Sequence, residues 1–261
     1  MSGEVAFLEP ATVLVTAAAG GIGSSLCRTL AATGHRLVLV DVSRRRLDKL
    51  EGQLHELGAA GVLSLEGDLT DVAQVERVVK LGEEEFGRLD GVANIVGGVI
   101  GDLESFYDKD IDLIEPEEWD ATFAINVRPT YLVTRAATRR MRQTGGGSVV
   151  NVASMAHLGR IPQMGNVAYD AAKAAVVAMT HTLAWQLGPH GVRVNAVAPG
   201  LTLSAGLERI VTPSLVDSHR DATPLGKNGR PDDVAQVMAF LLSPKSGHVS
   251  GEVIHVAGGR A

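Results

Sequence analysis

Ala11-Thr12-Val13-Leu14-Val15-Thr16-Ala17-Ala18-Ala19-Gly20-Gly21-Ile22-Gly23 is the stretch on which the fold turns. Ala11 to Thr16 is a short apolar run rich in β-branched residues, set off by Pro10 and the Ala/Gly turn, and it predicts a buried parallel strand. A helix is predicted after the glycines, through about Thr33. Glycines in such a turn let the backbone approach a pyrophosphate. The helix N-terminus adds N–H donors and a partial positive charge. The same residues would also suit a βα turn that binds nothing.

The alternation continues. Arg36 to Asp41 predicts a second strand with Asp41 at its carboxyl end. A carboxylate there accepts from the two hydroxyls of an adenosine ribose and repels a 2′-phosphate, which favours NAD over NADP. The other reading of Asp41 is a cap for the helix beginning near Ser43. Arg44 and Arg45 keep NADP open, although Arg44-Arg45-Arg46 is more simply a solvated first helical turn. Val62 to Leu65 is a third strand, followed by Asp68-Leu69 and a helix from Asp71 to about Phe86. Asp68 crosses the sheet's carboxyl edge within reach of an adenine amino group. Gly91 to Val96 is a fourth strand, ending in Asn94-Ile95-Val96-Gly97-Gly98. Gly98 to Glu115 reads as a rim loop. A helix is predicted from Pro116 through Trp119, Phe123 and Asn126 toward Met141. Among its apolar neighbours Asn126 either bonds a backbone carbonyl or holds a water in a proton relay.

Ser148 to Ala153 is a fifth strand ending at Ser154, and a long helix runs from about Asn166 through Leu187. On it Tyr169 and Lys173 are four apart and share one face. A nearby ammonium favours the phenolate and brings tyrosine toward a useful proton-transfer range. The pattern alone also fits a half-buried tyrosine beside a solvated lysine. Arg193 to Ala198 is a sixth strand closed by Pro199-Gly200, and Leu201 to Thr223 is mixed apolar and polar, which suits a mobile lid over a substrate. Asp232 to Leu242 is a helix, and Glu252 to Val256 a last strand before Gly258-Gly259. Strands alternating with helices specify one α/β domain, a doubly wound parallel sheet of about seven strands with helices on both faces. Residues 1–261 show no repeat or linker.

Bulk properties narrow the function. The 261 residues carry a net charge of −6, and Arg44-Arg45-Arg46 is the one basic run, which argues against nucleic acid as a partner. Cys27, the single cysteine, permits no internal disulfide and no cysteine-rich zinc site, and it falls at a core position. No metal-binding spacing such as His-Glu-x-x-His is present, so no metal is expected. No apolar run spans a bilayer and the first ten residues lack a signal pattern, so a cytoplasmic protein is expected.

Taken together, the residues from Ala11 to Gly259 resemble the short-chain dehydrogenase/reductase family, most in the manner of its 3-oxoacyl-(acyl carrier protein) reductase-like branch. The family's Thr-Gly-x-x-x-Gly-x-Gly loop matches at Thr16, Gly21 and Gly23, with Ala17 in place of the first glycine. Its Asn-Asn-Ala-Gly is kept as Asn94 and Gly97 around Ile95 and Val96. Asn126, Ser154, Tyr169 and Lys173 match the catalytic set, and Pro199-Gly200 the turn beside the nicotinamide. Thr202 or Ser204 supplies the carboxamide hydroxyl. Ser154 and Tyr169 stand 15 positions apart, slightly long for the family.

The resemblance implies a Rossmann-type fold and an oxidoreductase that moves a hydride between NAD(H) and a secondary alcohol or ketone, with NADP possible. Tyr169 is then the general acid/base and Ser154 bonds the substrate oxygen. Lys173 lowers the Tyr169 pKa and binds the nicotinamide ribose, and Asn126 supports a water. Thr16, Gly21, Ile22, Gly23, Asp41, Asp68, Leu69, Asn94, Gly97, Pro199, Gly200 and Thr202 complete the cofactor site. Met155, Leu158, Met164 and the segment Leu201 to Val211 suggest an apolar substrate, and His157 lies near enough to Ser154 to touch it. The family also implies a homotetramer built on the long helices, for which the alanine-rich face after Tyr169 is suited. Two competitors remain: an NADP-dependent 3-oxoacyl reductase, and a nucleotide-sensing regulator without turnover.

Overall fold

The computed structural model describes residues 10–101, 109–159 and 165–260. Seven strands, β1 (Thr12–Thr16), β2 (Arg36–Asp41), β3 (Gly61–Glu66), β4 (Gly91–Asn94), β5 (Gly147–Val152), β6 (Val192–Pro199) and β7 (Val253–Val256), form one parallel sheet. Their order is β3-β2-β1-β4-β5-β6-β7. The chain winds outward from β1 to β3, returns to place β4 beside β1, and winds the other way. That reversal opens a crevice between the carboxyl ends of β1 and β4.

The strands are apolar without interruption because both faces are buried. Val13 and Val15 of β1 join Leu37 and Leu39 of β2 in one core, packed under α1 (Gly21–Ala31), α2 (Arg44–Glu56) and the late helix Pro231–Leu242. Leu14, Val38 and Val40, one step out of phase, enter the other core beneath α3 (Val72–Phe86). Alternate side chains of a strand point to opposite faces, so one apolar run supplies two cores. Cys27 is fully buried in the first of them.

The helix expected from Pro116 to Met141 is corrected to two, α4 (Pro116–Asn126) and α5 (Arg128–Met141), with Val127 between them. Pro129 is the cause: it has no N–H to give the carbonyl of Ile125 four residues back, and its ring crowds that carbonyl. The long helix is α6 (Val167–Leu187), where the Asn166 side chain accepts from the N–H groups of Ala168 and Tyr169. The segment Leu201 to Thr223 contains a helix that was not expected, α7 (Pro213–Asp221), capped by Thr212. Thr212-Pro213 is the start signal for it, a side-chain cap before proline at the first helical position. The last helix, Pro231–Leu242, is α8. Among the described residues, no helix is long and apolar enough to cross a membrane.

Candidate active site

A cavity of about 750 Å³ opens at the carboxyl ends of β1, β4, β5 and β6. Its floor is the glycine turn. Gly23 is required there, because a Cβ would stand 2.2 Å from the Ala17 carbonyl oxygen. At Gly21 a Cβ would meet Cβ of Ser204 at 2.5 Å, so the lid segment rests directly on the turn. Gly20 caps α1 with no side chain and no acidic residue occupies the first helical turn, leaving N–H groups and the positive helix end for an anion. Ala17 holds φ +47°, the left-handed backbone its matching glycine would take without strain.

The opposite wall carries Tyr169 and Lys173. Lys173 is 2% exposed, and its Nζ donates to the Val152 carbonyl at 3.2 Å while lying 5.6 Å from the Tyr169 ring centre. Burial pulls its pKa down to about 8, and among the described residues no carboxylate pairs with it. Gly97, at φ +145°, gives Lys173 its room: a Cβ there would sit 2.7 Å from Asn126 Oδ1 and 3.0 Å from Lys173 Nζ. Asn126 is fully buried. Its Nδ2 donates to the carbonyls of Gly98 and Thr122, and its Oδ1 accepts from Gly98 N–H. Through these bonds the side chain clamps the loop after β4.

Ser154 Oγ accepts from Ala156 N–H at 3.1 Å, which leaves its own O–H proton for a substrate oxygen. Ser154, Tyr169, Lys173, Gly21, Ile22, Gly23, Gly97, Pro199, Gly200, Thr202 and Ser204 all line the cavity, together with Met155, Leu158, Leu201, Leu207 and Ile210. Met164 lies outside the described residues.

Several other residues do not reach that wall. Thr16 Oγ1 accepts from Ile95 N–H at 2.8 Å and Asn94 donates to Thr134 and Asn151, so both brace the sheet behind the cavity. Leu69 is core, and Asp68 is exposed, with Oδ1 accepting from Thr70 N–H and hydroxyl. His157 also misses the cavity wall: its Nδ1 bonds the Ser154 carbonyl at 2.7 Å and its ring stacks on His255. Asp41 is 6% exposed at the end of β2. It accepts from Ala19 N–H and Ser43 N–H and pairs with Arg46 at 2.9 Å. Ala18 N–H donates to Val40 in the same corner. Sequence reading did not single out His219 and Arg260, which also line the cavity; neither sits in a motif. No group of three His, Cys, Asp or Glu among the described residues is placed to hold a metal ion.

A glycine-floored crevice at a sheet's switch point, with a tyrosine, a buried lysine and a serine on its wall, defines a nicotinamide-dependent oxidoreductase. The enoyl-(acyl carrier protein) reductase family model matches residues 17–261. The 3-oxoacyl-(acyl carrier protein) reductase FabG of Thermotoga maritima is 34% identical over 97% of this chain and 98% of its own length. A short-chain dehydrogenase/reductase structure from Mycobacterium ulcerans superposes with TM-score 0.87 at 33% identity, covering 95% of this chain and 89% of that one. A 7α-hydroxysteroid dehydrogenase complexed with NADH and 7-oxoglycochenodeoxycholic acid gives TM-score 0.86 at 25% identity, over 97% and 94% of the two chains. The chain belongs to the short-chain dehydrogenase/reductase family, and it is an NAD(P)-dependent enzyme acting on alcohol and ketone groups. Nothing in these likenesses favours a regulator without turnover.

Proposed function

We propose that the chain oxidises a secondary alcohol, or reduces the matching ketone, with NAD(H) in preference to NADP(H). The observation that carries the reading is the convergence of Tyr169, Ser154 and buried Lys173 on one cavity wall facing the glycine turn. The residues fit the cofactor: Gly21 and Gly23 leave space no Cβ could share, and the uncapped α1 end suits a pyrophosphate. Bound there, the dinucleotide supplies the hydride acceptor or donor.

This chain's own groups handle the proton. Ser154 O–H donates to the substrate oxygen, and Tyr169 takes the alcohol proton or returns it to the ketone. Lys173 stabilises the phenolate by its charge and offers N–H donors to ribose hydroxyls. Ser204, pressed on Gly21, is the better placed of the two lid hydroxyls for the carboxamide, because Thr202 donates to Gly200 in its own turn. NAD preference rests on the Asp41 carboxylate, which would repel a 2′-phosphate. Arg44 is already paired with Asp48 and bonded to the Ser64 carbonyl, and Arg46 with Asp41.

Leu201, Leu207 and Ile210 favour a substrate with an apolar body. A homotetramer is supported by an exposed groove across α4, α5 and α6, lined by Phe123, Val127, Tyr131, Met179 and Leu183. Light scattering at micromolar concentration tests it, and a monomer would refute it. We also propose a cytoplasmic location, which cell fractionation checks.

The deciding experiment on the reaction is Tyr169→Phe. Turnover of secondary alcohols with NAD should fall by about a thousandfold or more while NADH still binds. Retained turnover would remove Tyr169 from the mechanism.

A further inference from the structure

Resting on that reading of the cavity, we propose that Arg260 and His219 form an anion-recognising subsite, so that the alcohol or ketone taken by this chain carries a carboxylate. Both residues line the same cavity as Ser154 and Tyr169. Arg260 Nη1 donates to His219 Nδ1 at 2.7 Å, and among the described residues its side chain has no carboxylate within salt-bridge distance. His219 is buried, and burial together with the Arg260 charge lowers its pKa to about 4. The imidazole is therefore neutral near pH 7 and orients the guanidinium without cancelling its charge. A guanidinium has five N–H donors in a planar fork matched to a carboxylate, and the contacts to His219, at 2.7 Å to Nδ1 and 3.4 Å to Nε2, both come from Nη1 and leave the Nε and Nη2 donors for a ligand.

The charge is also held in place. Arg260 N–H bonds the Ala257 carbonyl, and Leu225 N–H bonds Gly258. A Cβ at Gly258 would strike Thr223 at 2.5 Å and one at Gly259 would press Pro224 at 3.1 Å, so the closing turn lies flat against the end of α7. The Thr223 hydroxyl donates to the His219 carbonyl, tying the imidazole's backbone to the same corner. Leu201, Leu207 and Ile210 line the same cavity, and a guanidinium that has no carboxylate partner among the described residues attracts an anion more strongly in such a partly apolar cavity than in open water. A substrate with an apolar body and an anionic end matches both features.

The test uses secondary alcohols CH3–CH(OH)–(CH2)n–COO⁻ over a range of n, each against its methyl ester. Binding is measured by calorimetry with NADH present, so that no turnover occurs. At the best chain length the carboxylate should bind about tenfold or more tighter than the ester, a preference that added salt erodes. In Arg260→Gln that ratio should fall to about one, and Arg260→Lys should keep part of it. A wild-type ratio near one at every length overturns the proposal whether or not the variants fold. A ratio that persists in Arg260→Gln overturns it too. Since no turnover is needed, a failure here leaves the Tyr169 result standing, and loss of Tyr169 dependence would leave this subsite standing.

Discussion

The Asp41 carboxylate accepts from the backbone N–H of Ala19 at 3.1 Å, joining the end of β2 to the glycine turn after β1. One side chain thus shapes the turn, and on the proposed reading its charge also faces the adenosine ribose. Asp41→Asn keeps an acceptor for Ala19 and removes the charge. It should narrow the NADH-over-NADPH preference by about tenfold in paired fluorescence titrations, while Asp41→Ala should also cost about 1–2 kcal/mol of stability by orphaning the Ala19 N–H. An unchanged cofactor ratio in both variants would mean that Asp41 has only the structural role.

Gly97 admits no side chain. Asn126 cannot swing away, because three hydrogen bonds hold its amide, and Lys173 Nζ closes the other side. Gly97→Ala should lose about 2–4 kcal/mol in urea denaturation, and turnover should drop at least about tenfold as Lys173 is displaced. Full activity in a destabilised variant would separate the loop from catalysis.

Burying the Lys173 ammonium costs stability. Its pKa falls from 10.5 to about 8 on folding. Below pH 8 both states hold the proton and the burial penalty is felt in full. Between about 8 and 10.5 the unfolded chain binds the proton that the folded chain has released, so this group adds stability as pH rises through that window. Lys173→Met should therefore be inactive yet more stable at pH 7 by about 1–3 kcal/mol, with the gap to wild type closing toward pH 10. Equal or lower stability of the variant at pH 7 would show that the Val152 bond outweighs desolvation.

Ala17 carries left-handed backbone strain at φ +47°. Ala17→Gly should relieve it and stabilise the fold by about 0.5–1 kcal/mol after the added freedom of the unfolded chain is subtracted. Chemical denaturation at neutral pH measures the difference. A loss of stability would mean that the Ala17 methyl group, rather than its backbone, holds the turn.

The legible parts of this protein were those with a local period. β2 runs over Arg36–Asp41 as its short apolar run predicts, α3 starts after Asp71, and Tyr169 and Lys173 share a face because four residues make about one helical turn. Two local signals cut across longer patterns. Pro129 divides a helix whose apolar spacing continues across it, and Thr212-Pro213 opens α7 inside a segment of mixed polarity.

Sequence alone determined the strand–turn–helix alternation, the glycines at the sheet's carboxyl edge and the Tyr169–Lys173 pair. Each depends on neighbours within a few residues, where backbone geometry sets the outcome. Tertiary structure alone decided what those groups meet. Asn126 closes on Gly98 across 28 positions, Thr16 braces Ile95 across 79, and Arg260 finds His219 across 41. Such pairs follow from strand order and from the packing of helices on the sheet. No residue's local pattern encodes a partner that distant, so Asn126 could be read two ways and Arg260 not at all.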